Sequence, residues 1–162
     1  MLNRREWLTR VGLGAVGLTV LPRLLEGSTP ARTGEVAAPI GIKVYKSASC
    51  GCCAAWVTYM NANGFKCDVS DLDDSALDAK KAQLGVTDAV RSCHTGVVGK
   101  YLVEGHVPAD VVKRLLREHP AALGLSVPGM VPGSPGMDGG TPQHYDVVLF
   151  QRGGASRTYV TR

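Results

Sequence analysis

Hydrophobic positions along this chain follow two periods, and the changeovers fall at turn-forming residues. Ile42 and Val44 alternate with Lys43 and Tyr45, which predicts a strand over Gly41–Lys46. Ser47-Ala48-Ser49 makes the turn, with a serine placed to cap the next helix. Cys53, Trp56, Val57 and Met60 then stand at i, i+3, i+4 and i+7, predicting a helix from Cys52 to Asn63 with one apolar face. Gly64 supplies the left-handed residue with which helices commonly end. A second strand is predicted over Phe65–Val69 and a second helix over Ser75–Leu84. Asp71, Asp73 and Asp74 gather ahead of that helix, where carboxylates suit the dipole. As a calcium loop they lack the required glycine and distal glutamate, so capping is the expectation.

Thr95–Val98 and Tyr101–Glu104 flank Gly99-Lys100 and read as a hairpin. Pro108 suits the first turn of a third helix, whose buried stripe is Val111, Val112, Leu115 and Leu116, ending before Pro120. Residues 124–143 are rich in glycine and proline and are expected to form a loop; it carries Pro128-Gly129-Met130 and Pro135-Gly136-Met137. Tyr145–Phe150 and Arg157–Val160 predict a closing hairpin. The order β-α-β-α-β-β-α, with cysteines where the first strand meets its helix, resembles a thioredoxin-like fold. The expected class is therefore α/β, a central mixed sheet with flanking helices. In such a fold the segment Arg91–Thr95 approaches the first helix N-terminus, bringing Cys93 and His94 to Cys50, Cys52 and Cys53.

At 162 residues, 44% of them hydrophobic and 20% charged, the chain has room for one globular domain and an N-terminal segment. That segment reads as an export signal. Arg4-Arg5-Glu6-Trp7-Leu8 is a twin-arginine pattern, and the apolar run Val11–Leu21 suits a signal h-region but is short for a membrane span. Retention as an uncleaved anchor is the alternative. The expected organisation is a signal peptide over residues 1–31, a linker over 32–40 and a metal-binding domain over 41–162, giving a periplasmic protein with no stable membrane association once the signal is removed. The first 31 residues hold four of the 18 basic and two of the 14 acidic residues, so the remainder carries 14 against 12. No basic stripe with interleaved aromatics occurs, which argues against nucleic acid as a partner.

Three of the five cysteines fall within Cys50-Gly51-Cys52-Cys53. A helix N-terminus favours thiolate over thiol, and thiolate is both the nucleophile and the metal ligand. Cys50 and Cys53 have the C-x-x-C spacing of thiol oxidoreductases, and Cys52 adds a C-x-C metal-binding spacing. Extra thiols beside a dithiol enzyme invite misrouted disulfides. No proline lies between Gly85 and Val107, where thioredoxin-like oxidoreductases place one opposite the dithiol; Cys93-His94 stands there instead. Both points favour coordination over thiol catalysis. Thiolates with imidazole or thioether suit Cu(I), whereas four thiolates also suit zinc or an iron–sulfur cluster. Met130 and Met137 are candidate thioether ligands or gap-fillers. His94 is the preferred imidazole ligand, and His106 is a ligand, a supporting partner or a cap. His119 is expected to be a helix C-terminal charge partner, His144 a surface residue and Cys67 a lone core thiol.

Taken together, Lys46–Cys53, Arg91–Thr95, Val103–Ala109, Val127–Met130 and Gly133–Met137 resemble the periplasmic CopG-type copper-resistance proteins, over about residues 41–150. The resemblance implies a thioredoxin-like fold that binds copper, as one Cu(I) or several bridged by sulfur, within copper homeostasis. It implies a sulfur core of Cys50, Cys52, Cys53 and Cys93, with His94, His106, Met130 and Met137 at family motif positions. Other periplasmic copper-handling proteins are the implied partners. Storage, transfer and redox conversion of the metal all stay open, including a thiol–disulfide or copper-redox oxidoreductase.

Overall fold

A computed structural model describes residues 38–162; the predicted signal and most of the linker lie outside the described residues. Strand β1 (Ile40–Ser47) leads into helix α1 (Gly51–Ala62), then strand β2 (Phe65–Leu72) and helix α2 (Asp74–Leu84). A single 3₁₀ turn precedes the hairpin β3 (Thr95–Val98) and β4 (Tyr101–Glu104), followed by α3 (Ala109–Glu118), β5 (Gly124–Ser126), β6 (Asp146–Phe150) and β7 (Ser156–Thr161). Among the described residues these strands form one sheet in the order β2-β1-β3-β4-β5-β6-β7. Strands β1 and β2 are parallel, as are β4 and β5, and the other neighbours are antiparallel.

Alternation along β4 shows how the sheet divides the core. Tyr101 and Val103 join the larger cluster with Trp56 and Met60 of α1 and Val111, Val112 and Leu115 of α3. Leu102, one residue out of phase, joins Val86, Val90 and Phe150 on the opposite side. All four β4 residues are therefore buried, Glu104 included. On α1 the predicted face is present, with Cys53, Trp56 and Met60 buried and Val57 half-buried.

Four local expectations need correcting. No serine caps α1: Ser47 and Ser49 face each other at 3.1 Å, and Cys50 is the N-cap, with no side chain bonded to the first turn. Strand β2 runs on to Leu72, because it pairs with β1 over the whole length of both. The loop predicted over 124–143 opens with strand β5, whose three residues bridge β4 and β6. Glycine is required there, since a Cβ on Gly124 would stand 2.1 Å from the Leu102 carbonyl oxygen. Cys67 packs against the core as a lone thiol, as expected, but is only partly buried, because β2 is an edge strand. Asp73 and Asp74 behave as expected, Asp73 capping α2 by accepting the Ala76 N–H at 2.8 Å and Asp74 lying in its first turn, whereas Asp71 belongs to β2 and pairs with Lys46 at 2.7 Å.

Candidate metal centre

The first wall of the site is the start of α1. The turn closes through Cys50 N–H donating to the Ser47 carbonyl at 3.1 Å, which sets Cys50 at the helix boundary in an extended conformation. Cys50 and Cys53, three residues apart and thus on one helix face, are joined as a disulfide. Cys52 remains a free thiol, its Sγ 3.5 Å from that of Cys50. Cys53 is fully buried, while Cys50 and Cys52 are partly exposed. The open first-turn N–H groups leave the positive end of α1 beside these sulfurs.

The second wall is the segment entering β3, together with the turn leaving β4. These bring Cys93, His94 and His106 to the helix. The Sγ atoms of Cys50, Cys52, Cys53 and Cys93 lie within 4.8 Å of one another, and Cys93, His94 and His106 offer donors within the same limit. Burial pushes the Cys93 thiol up to about 12, and the neighbouring Cys52 adds to the shift. A cation replacing the proton would remove that penalty.

Both histidines are uncharged at neutral pH. His94 is fully buried and held well below the usual imidazole range, first by burial, then by His106, Lys81 and Lys46. His106 is lowered by burial, against an opposing pull from the Pro135 carbonyl. That carbonyl stands 2.8 Å from His106 Nδ1 and can only accept, so Nδ1 carries the proton. The Nε2 lone pair is thereby aimed at Cys93 Sγ, 3.0 Å away. His94 Nδ1 lies 3.3 Å from the same sulfur. Its Nε2 is buried without a hydrogen-bond partner. The His94 ring packs against Trp56 at 4.4 Å between centroids and meets His106 edge-on at 5.0 Å.

The loop after β5 forms the third wall. Gly136 approaches α1 so closely that a Cβ would stand 2.7 Å from Trp56 N and 3.0 Å from the Cys52 carbonyl oxygen. Met137 follows it and is half-buried. Gly129 donates its N–H to the Arg91 carbonyl at 3.0 Å and accepts from Ser92 Oγ, tying the first Pro-Gly-Met triplet to the Cys93 segment. Met130 itself is 61% exposed. Cys67 bonds only weakly, to the Val57 carbonyl at 3.9 Å, and is not among the clustered donors. His119 closes α3 in the left-handed conformation, and His144 is exposed.

Three contributors were not foreseen: Trp56 as the floor under His94, Pro135 as the group that orients His106, and a buried Lys81–Glu104 pair behind Cys93. Glu104 did carry a signal, being a charged residue that directly continues the apolar run Tyr101–Val103.

Soft metal ions fit this donor set. Ligand sulfurs around a tetrahedral ion with ~2.3 Å bonds sit about 3.8 Å apart; Cys50 and Cys52, at 3.5 Å, are close to that spacing, whereas Cys50 and Cys53 reach it only once their disulfide is reduced. The unpartnered His94 nitrogen belongs to a ring whose other nitrogen already faces the cluster. Thiolate and neutral imidazole together suit Cu(I) and zinc better than hard, oxygen-seeking cations.

Residues 90–137, which contain most of the second and third walls, match a family described as a protein of unknown function, DUF411. Two solved structures of copper resistance protein CopG, designated form 1 and form 2, are 42% and 41% identical to this chain. Each superposes with a TM-score of 0.69 and covers 76% of this chain and 98% of its own. No curated protein matches the chain.

Proposed function

Because the chain belongs to the family of copper resistance protein CopG, we propose that it is an exported copper-binding protein holding Cu(I) in a cysteine-rich site. The observation that carries this reading is the convergence of four cysteine sulfurs from two separate chain segments on one point, with two neutral imidazoles behind Cys93. In the reduced protein Cys50, Cys52, Cys53 and Cys93 supply the thiolates, and the α1 N-terminus offsets their charge. Cys93 belongs to both donor groups, which supports its bridging a sulfur-rich ion and a more nitrogen-rich one. His94 and His106 complete the nitrogen side, and Met130 and Met137 supply thioether at the loop. Copper is cargo in this reading, whether stored or passed on, and other copper-handling proteins of the periplasm are the candidate partners.

The same reading takes the domain as thioredoxin-like. Its support is the β1-α1-β2 unit followed by an antiparallel hairpin and α3, in the order β2-β1-β3-β4. It takes residues 1–31 as a twin-arginine signal on the strength of Arg4-Arg5-Glu6-Trp7-Leu8, and the domain as residues 41–162. The test is titration of the reduced full chain with Cu(I) against a chromophoric chelator, with copper counted by elemental analysis. Stoichiometric binding is expected for the wild type and lost in Cys52→Ser; unchanged copper content in both Cys52→Ser and Cys93→Ser sinks the reading.

One observation favours a second reading. The Cys50–Cys53 disulfide is the oxidised half of a dithiol couple, with the buried Cys53 placed as the resolving thiol and the more accessible Cys50 as the attacking one. A thiol–disulfide or copper-redox oxidoreductase on this site predicts turnover of a disulfide substrate, with dithiothreitol as reductant, in metal-free protein. Absence of that turnover removes the thiol version.

A further inference from the structure

Behind Cys93 and His94 lies an ion pair that copper binding as described does not use. Lys81 on α2 is 2% exposed, Glu104 at the end of β4 is 0% exposed, and Nζ stands 2.5 Å from Oε1. Desolvation offsets most of the attraction in such a buried pair, so stability alone is a weak account of it. Its bonding partners supply a better one. Glu104 Oε1 also accepts the Ser92 N–H at 2.7 Å, and Oε2 accepts the Thr95 hydroxyl at 2.5 Å. Lys81 donates to that same Thr95 oxygen at 3.0 Å. Ser92 and Thr95 are the residues on either side of Cys93-His94. A single carboxylate therefore grips both ends of the dipeptide, and Lys81 holds the carboxylate.

The next residue reinforces the grip. Gly105 N–H donates to the His94 carbonyl at 2.9 Å, and a Cβ on Gly105 would stand 2.2 Å from Ser92 Oγ. The backbone after Glu104 is thus pressed against the same segment.

We propose that Glu104, fixed by Lys81, is a positioning residue for metal capture, holding Cys93 Sγ and His94 Nδ1 in place before any ion arrives. The proposal rests on the copper reading and deepens it. Groups one bond removed from a ligand commonly govern metal affinity about 10- to 100-fold, and that is the effect assigned to this carboxylate.

Two double variants separate positioning from charge and from stability. Lys81→Met with Glu104→Leu removes the ion pair and the acceptor together, leaving no unpaired buried charge. Lys81→Met with Glu104→Gln also removes the charges but keeps an oxygen for Ser92 or Thr95. In the reduced chain, the leucine variant is expected to bind Cu(I) about 10- to 100-fold more weakly while remaining folded at the assay temperature, with a lowered thermal midpoint because the Ser92 N–H and the Thr95 hydroxyl lose their acceptor. The glutamine variant is expected to recover most of that loss. Equal affinity in the wild type and the leucine variant overturns the proposal, and so does equal loss in the two double variants. Should the leucine variant fail to fold, Thr95→Val removes one hold while leaving the ion pair, and an unchanged affinity there is equally fatal. Alkylation of Cys93 by iodoacetamide in metal-free reduced protein gives a readout independent of copper, expected to be faster in the leucine variant. A wild type that binds no Cu(I) defeats the functional reading; the alkylation comparison then still decides the positioning role, and equal rates reject it.

Discussion

Replacing Gly136 by alanine tests whether the loop after β5 is part of the site or only its cover. Gly136 has φ +82°, in the left-handed region. An alanine there carries a backbone cost of about 1–2 kcal/mol. The added methyl would also stand 2.7 Å from Trp56 N, 3.0 Å from the Cys52 carbonyl oxygen and 3.1 Å from Ala55 C. All three are helix backbone and cannot rotate aside, so the loop must retreat from α1, at about 1–3 kcal/mol for overpacking. Retreat moves the Pro135 carbonyl, which fixes the proton on His106 Nδ1. Gly129→Ala is the control: φ is +75°, but nothing lies within 4 Å of the added methyl, so only the backbone cost applies. Urea denaturation of reduced, metal-free protein is expected to show Gly136→Ala losing about 2–5 kcal/mol and Gly129→Ala about 1–2. In the Cu(I) competition titration, Gly136→Ala is expected to bind about 10- to 100-fold more weakly, with Gly129→Ala close to wild type. If the two variants match in both measurements, the close approach of this loop has no functional meaning.

The buried groups give two further expected outcomes. Trp56→Phe removes the indole N–H that donates to the buried Val107 carbonyl at 3.0 Å. A cost of about 1–3 kcal/mol for the unpaired carbonyl is expected by denaturant titration, and wild-type stability would mean that water replaces the donor. Stability of the metal-free reduced protein should also depend on pH on both sides of neutrality. The folded pKa values of His94 and His106 are lowered, so the unfolded chain takes up their protons first. Stability then declines as pH falls below ~6.5, by up to about 1.4 kcal/mol per pH unit for each histidine. The Cys93 thiol is raised to about 12, so its contribution is present below ~9 and lost as pH rises towards 12. Denaturation midpoints measured from pH 5 to pH 10 check both limbs; a flat profile below pH 6.5 in the wild type contradicts the assignment of neutral buried imidazoles.

Much of the fold was readable because the signals were local. The period change at Cys52, Gly64 after α1 and the Gly99-Lys100 turn each act within a few residues, and the elements fall where those signals put them. Strand β5 gave no comparable sign. Three residues cannot establish a period, and Gly124–Ser126 are extended only because β4 and β6 lie on either side. The site divides in the same way. Cys50, Cys52 and Cys53 were evident as a cluster, and the element order was enough to direct Cys93 and His94 towards them. Lys81 looked like any helical lysine, since its partner Glu104 is 23 residues away and meets it only when α2 packs on the sheet.

Residue type and spacing already specify which atoms are available: four sulfurs and two imidazoles on segments that a β-α-β unit and a following hairpin bring together. That information is local, written in residue type and short spacing. Tertiary structure alone decided how those atoms face one another. Cys50 bonds Cys53 rather than Cys52 because one turn of helix stacks residues three apart. His106 offers Nε2 to Cys93 because a carbonyl 29 residues further along the chain holds the proton on Nδ1. Cys93 and His94 are gripped from both ends by a carboxylate on the neighbouring strand. Hydrogen-bond direction depends on distances between groups far apart in the chain, and packing sets those distances.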